Sequence, residues 1–278
     1  MSDPLRETLE SQAAHDHPDR DPRREMRRLS RRGLLWSGVA LLGGWEGVKY
    51  LASRSNDMGT PWPFRTALEA NEGVWHDALG DRMAPTFASS RITELRQNGD
   101  EGLATDDWDP AAWKLHVEGL GGDDSSRVLT MKEIKALPRH EMVTEMCCIE
   151  GWSIVVRWAG ARLVDFMAKY PPATTSGDPF DPHRLDDLPP YVGMQTPDGG
   201  YYVGLDMKSC VHPQTLLCYE MNGKPLDAFD EDHGAPLRLA IPVKYGIKNI
   251  KRIGTIRYAT DRPKDYWAEQ GYDWYAGL

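Results

Sequence analysis

Cysteine is scarce in this sequence, with four in 278 residues, and two of the four are neighbours, Cys147 and Cys148. A disulfide framework needs spaced pairs in a short chain, and adjacent cysteines bond only with strain. That leaves a bond between Cys210 and Cys218 as the one spacing to test. Phenylalanine is also rare, five against ten Trp and eleven Tyr, so core and clefts rest on amphipathic aromatics that need hydrogen-bond partners. No Cys-x-x-Cys-His run, glycine-rich phosphate loop or internal repeat occurs. Basic excess is lacking too. Residues 1–54 hold ten Lys and Arg against eight Asp and Glu, a balance of +2, so a net charge of −9 leaves −11 on the rest. Such an acidic body argues against nucleic acid as the main partner, because phosphate backbones need a basic face, though it leaves room for one local basic pocket.

No long hydrophobic run is present either. The longest uncharged stretch, Gly33 to Trp45, is broken by Glu46 and Lys49, short of the roughly 20 apolar residues that span a bilayer. What precedes it is specific. Residues 1–29 form a polar Asp, His, Pro and Arg mixture that reads as a disordered leader, and Ser30-Arg31-Arg32-Gly33 opens the apolar stretch. An arginine pair before an apolar segment of this length has the pattern of a twin-arginine export signal over residues 30–54. A buried helix after chance arginines, or an uncleaved membrane anchor, stays open. Export in folded form suits a protein that takes up a redox cofactor before leaving the cytoplasm.

The remainder reads as mixed strands and helices, an α+β domain placed at residues 80–278. A helix is expected near 68–79 and a turn at Asn98-Gly99. The alternation of residues 113–120 predicts a strand closed by a turn at 121–124. Met131–Leu137 reads as a helix with Thr130 and Glu133 as a capping box. Further strands are expected at 143–149, 215–221, 237–243 and 250–258, with a turn at Trp158–Gly160 leading to a helix at 163–170.

Two segments carry chemistry. Cys147-Cys148-Ile149-Glu150-Gly151-Trp152-Ser153 places a cysteine at a strand end before a glycine turn, where a thiolate can enter a cleft as a soft metal ligand or nucleophile. Read alone, such a cysteine is better explained by core packing. His233-Gly234-Ala235-Pro236-Leu237-Arg238 and Lys244-Tyr245-Gly246-Ile247-Lys248-Asn249-Ile250-Lys251 form a basic, glycine-punctuated stretch able to cradle an oxyanion, or a solvated strand edge.

Together these motifs resemble the sulfite-oxidase-like family of molybdopterin-dependent oxidoreductases, most of all the branch containing the catalytic subunit of periplasmic protein-methionine-sulfoxide reductase. Tyr191–Thr196 and His212–Leu226 resemble intervening segments of that family, and the resemblance runs over residues 80–278. It implies a mixed-sheet molybdopterin-binding domain preceded by a signal or anchor segment. It implies molybdenum-molybdopterin as cofactor, with Cys148 ligating the metal and Cys147 turned to the other face of its strand. Thr196, His233, Arg238, Asn249, Ile250 and Lys251 would contact the cofactor, Arg238 through its phosphate. Reductase relatives carry Asn where this chain has His233. Between Met83 and Asn98, where relatives place pterin contacts, this chain has Thr86–Arg91, and Arg91 is read as a surface residue.

The implied reaction is oxygen-atom transfer, probed first as reduction of an S-oxide such as methionine sulfoxide, with sulfite oxidation as the alternative. Glu150, two residues from Cys148, is the candidate proton carrier; a salt bridge to Arg157 is its rival role. The lack of a haem motif makes a separate electron carrier the expected partner, and the resemblance implies a membrane haem or quinone-linked protein. Location would be periplasmic or otherwise extracytoplasmic. A cofactor-free binding module of the same fold and an exported thiol protein are the rivals from other classes.

Overall fold

The computed structural model describes residues 22–79, 82–97, 99, 102–103, 112–122, 125–229 and 233–278, with backbone alone at 22–33, 35 and 75–79. The leader up to residue 21, Asn98 and turn residues 123–124 lie outside the described residues. Two compact units result, Met1–Arg54 and Ser55–Leu278. The first contains helix α1, Pro22–Ala52, with a Lys49–Glu46 ion pair of 3.1 Å in its last turns. Among the described residues, no helix is long and apolar enough to cross a membrane.

The second unit takes in residues 55–79 along with the expected 80–278. A small ribbon of β1 (Asn56–Asp57) and β2 (Thr60–Pro61) leads into α2 (Trp62–Leu79), longer than the pattern predicted. Arg65 of α2 is 1% exposed. It is knitted to the chain's far end by donating to the carbonyls of Tyr272 (3.0 Å) and Ala268 (2.9 Å).

Two five-stranded sheets make the body. The first runs β10 (Lys224–Pro225), β9 (Leu216–Met221), β6 (Ser153–Arg162), β5 (Arg139–Cys147), with β11 (Arg238–Ala240) also on β9. The second runs β4 (Ser126–Leu129), β3 (Leu115–Glu118), β12 (Thr255–Ala259), β7 (Tyr191–Gln195), β8 (Tyr202–Asp206). Only β3 and β12 pair in parallel, which makes this sheet mixed. The capping box at Thr130 forms as the sequence predicted: Glu133 accepts from the Thr130 backbone N–H at 2.7 Å and starts α3 (Met131–Lys135). Helix α4 (Leu163–Lys169) is likewise in its expected place, and α5 (Met207–Val211) and α6 (Tyr266–Glu269) complete the set.

The apolar pattern of β9 explains how the first sheet is buried on both faces. Leu217 and Tyr219 join the main core with Leu115, Phe166, Val192 and Ile256, while Leu216, Cys218 and Met221 join a second cluster with Ile154, Val156 and Trp158. The expected turn at Trp158–Gly160 is instead the interior of β6. Gly160 is there because a side chain would strike the Leu217 carbonyl at 2.0 Å, and the register of β6 on β9 shifts between Ala159 and Gly160. No disulfide joins Cys210 to Cys218, and both are buried thiols.

Candidate active site

The β5–β6 hairpin builds one wall of the site. Its strands pair from Arg139↔Ala161 to Cys147↔Ser153. Beyond Cys147 the Cys148 N–H donates to the Trp152 carbonyl at 2.8 Å, and the Gly151 N–H donates to the Cys148 carbonyl at 3.1 Å. Gly151 sits at φ +87° with open space around its missing side chain, so glycine is needed there for conformation, not room. The chain thus turns at Cys148. Cys148 and Glu150 line the same cleft, but a tight turn brings them together, not the extended backbone that their spacing suggested. Cys147 lines a different cavity, of about 800 Å³, with Glu145, His212 and Tyr245.

The cleft also contains His233, Arg238, Asn249 and Lys251, so six of the eight site residues named from the sequence meet there. The other two lie beside it. Thr196 is 1% exposed, accepting from the Tyr201 N–H at 3.1 Å and donating to Asp198 at 2.5 Å, and it is Tyr201 that reaches the cleft. Ile250 is buried, its carbonyl accepting from the Leu239 N–H at 2.9 Å. The cleft encloses about 130 Å³ and opens to solvent past the exposed Arg96 and Gln97. Arg96, Gln97, Trp267 and Tyr272 were not foreseen. Arg96 lies over the Trp152 ring at 4.6 Å, and Trp267 and Tyr272 come from the far end of the chain in edge-to-face contact.

Glu150 accepts from the Trp152 indole N–H at 3.1 Å. Arg157, its expected rival partner, reaches Glu141 at 3.7 Å and donates to the Ser89 hydroxyl at 2.6 Å. Arg91, in the same short helical turn as Ser89, is on the surface.

Arg238 is the most unusual group in the site. It is 4% exposed and donates to the carbonyls of His233 (3.2 Å) and Asn249 (3.4 Å), yet its Nε has no hydrogen-bond partner among the described residues. Burial pulls the guanidinium pKa down to about 10, with the Cys218 thiol opposing, so it stays charged at neutral pH. A buried cation with unused donors is the chemistry of an anion site. Asn249 supports it through backbone, because its side-chain oxygen is taken by the Ile241 N–H at 2.8 Å and its amide donates to the Tyr245 carbonyl at 3.2 Å. A soft sulfur and a buried arginine with an unpartnered Nε, lining one cleft, fit a metal-bearing cofactor with an anionic tail.

Comparison with known proteins agrees. Residues 102–267 match the oxidoreductase molybdopterin binding domain. A putative protein-methionine-sulfoxide reductase subunit, YedZ1, of Azospira oryzae is 32% identical over 201 residues, 71% of this chain and 69% of that one. The protein-methionine-sulfoxide reductase catalytic subunit MsrP of Campylobacter jejuni is 34% identical over 177 residues, 60% of this chain and 56% of that one. That of Xanthomonas campestris is 34% identical over 164 residues, covering 56% and 47%, so the chain spans about half the length of these catalytic subunits. Among solved structures, the sulfane dehydrogenase SoxCD of Paracoccus pantotrophus aligns at TM-score 0.46 and 15% identity over 56% of this chain and 40% of that one. The chain belongs to the oxidoreductase molybdopterin-binding domain family and is a molybdenum-molybdopterin-dependent oxidoreductase.

Proposed function

We propose that this chain is the catalytic subunit of an exported reductase that removes oxygen from an S-oxide, with methionine sulfoxide as the substrate class. The observation that carries the reading is the meeting of Cys148, Glu150 and Arg238 in one cleft. The relatives named as methionine-sulfoxide reductase subunits support the substrate class.

In this reading Cys148 holds molybdenum, Arg238 binds the cofactor's phosphate, and His233 with the 249–251 segment lines the cofactor. The bound cofactor supplies the two-electron chemistry of oxygen-atom transfer. The chain's residues do the rest. Removing the oxygen as water consumes two protons and two electrons and leaves a thioether. Glu150, at the cleft mouth with its carboxylate held by Trp152, delivers protons to the departing oxygen. Trp152, Trp267 and Tyr272 pack on the apolar substituents of the S-oxide and exclude water. A carboxylate at that position favours a neutral, dipolar S-oxide and opposes a sulfite anion. Electrons come from a separate carrier, a membrane haem or quinone-linked protein. Export uses the Arg31-Arg32 pair, placing the enzyme outside the cytoplasm.

The test is the purified full chain beside Cys148→Ser, from a host competent to supply the cofactor, with molybdenum, pterin and turnover measured together. Stoichiometric molybdenum and faster turnover of methionine sulfoxide than of sulfite, with loss of turnover in Cys148→Ser, are expected. Protein without molybdenum and pterin, or a preference for sulfite, refutes the proposal.

A further inference from the structure

A buried arginine needs something to offset its desolvation. The commonest solution is a carboxylate, which also occupies the guanidinium N–H groups. Among the described residues no acidic side chain forms an ion pair with Arg238, and its Nε is left over. What lies against it is the face of Trp158, 5.1 Å from the guanidinium carbon to the ring centre. An aromatic face attracts a cation through its quadrupole without accepting its N–H groups, and the attraction strengthens as water is removed. Both residues are desolvated, Trp158 at 1% exposed and Arg238 at 4%.

The strand register makes the placement rigid. Trp158 pairs with Met221 and Arg238 pairs with Cys218, both on β9, and the Met221 sulfur lies 3.7 Å from Arg238 Nη1. Trp158 also lines the cleft itself.

We infer that Trp158 is a positioning residue for the anion site: its ring keeps the Arg238 guanidinium oriented and charged while leaving donors for an incoming phosphate. The inference rests on the reading that Arg238 binds the cofactor's phosphate. A carboxylate at position 158 would neutralise the arginine and consume its donors.

The experiment uses the full chain purified with its cofactor, and follows pterin release on dilution by fluorescence. Trp158→Leu removes the ring, and Trp158→Phe keeps an aromatic face and most of the volume as the safer variant for folding. Each is made in the native and Arg238→Met backgrounds. In the native background Trp158→Leu should speed release on the order of 3- to 30-fold, and Trp158→Phe about 2-fold. Neither should add to the effect of Arg238→Met, because the ring then has no cation to hold. Equal acceleration in both backgrounds, or none in the native one, overturns the inference and assigns Trp158 to packing alone. Release from Arg238→Met at the native rate would instead refute the phosphate reading beneath it.

Discussion

Lys248 Nζ and Asp265 Oδ2 form an ion pair of 2.5 Å, with the two side chains 1% and 2% exposed. The pair joins the short helical turn Gly246–Lys248, just before Asn249, to the start of α6, where Asp265 also accepts from the Ala268 N–H at 3.0 Å. Lys248 further donates to the Gly204 carbonyl at 2.9 Å. Breaking such a pair strands a buried charge, so Lys248→Met or Asp265→Asn should each cost about 3–5 kcal/mol in chemical denaturation. The double variant should cost less than the sum. Additive losses would show that the two groups are not coupled.

Glu72 should make stability depend on pH. Burial first, then Asp273 with Asp206 and Glu69, raises its pKa from 4.5 to about 7, against the pull of Lys244. The folded state therefore holds a proton that the unfolded chain releases near pH 4.5. That contribution is complete below pH 4.5 and is lost as pH rises through about 7. Glu72→Gln should raise the melting temperature at pH 8 and leave it unchanged at pH 4. An equal effect at both pH values would contradict the shift.

Gly151 offers a test of how the turn places Cys148. Its φ of +87° disfavours side chains, although nothing lies within 4 Å of where one would go. Gly151→Ala should therefore cost about 1–2 kcal/mol through conformation alone. Asn tolerates this region better, so Gly151→Asn should recover part of the loss. Denaturation curves decide it, with molybdenum content as the reading of whether Cys148 moved. Alanine and asparagine behaving alike would point away from backbone conformation.

The sequence made much of this site legible because its parts lie in two short runs. Cys148 and Glu150 share one turn, and His233, Arg238, Asn249 and Lys251 fall within 19 positions of each other. Capping at Thr130 was readable for the same reason, being a contact across three residues. What was not legible is long-range. Trp267 and Tyr272 enter the cleft from the C-terminal segment, and Trp158 reads as a turn neighbour until β9 pairs with β6. Gly160 looked like a turn signal, yet its cause is the Leu217 carbonyl, 57 positions away in sequence and invisible locally. The parallel pairing of β3 with β12 spans still more of the chain.

Glu150→Gln separates proton delivery from cofactor binding. The amide keeps the shape and can still accept from Trp152, so molybdenum and pterin content should be unchanged. Turnover of methionine sulfoxide should fall about 10²- to 10⁴-fold if the carboxylate carries the proton. Native turnover in the Gln variant would remove Glu150 from the mechanism while leaving Cys148 and Arg238 in place.

The two neighbouring cysteines should behave oppositely. Cys148 faces the cleft with Glu150 and Arg238, whereas Cys147 faces the cavity shared with Glu145 and Tyr245. Burial, and next Glu145, push the Cys147 thiol above its usual pKa. Cys147→Ala removes a small, half-buried thiol and should cost about 1 kcal/mol or less, with molybdenum content and turnover retained. Cys148→Ala should lose the sulfur ligand and turnover together at similar stability. Metal lost from Cys147→Ala and kept in Cys148→Ala would mean that the hairpin presents its sulfur from the other face, and the assignment of the ligand would move one residue.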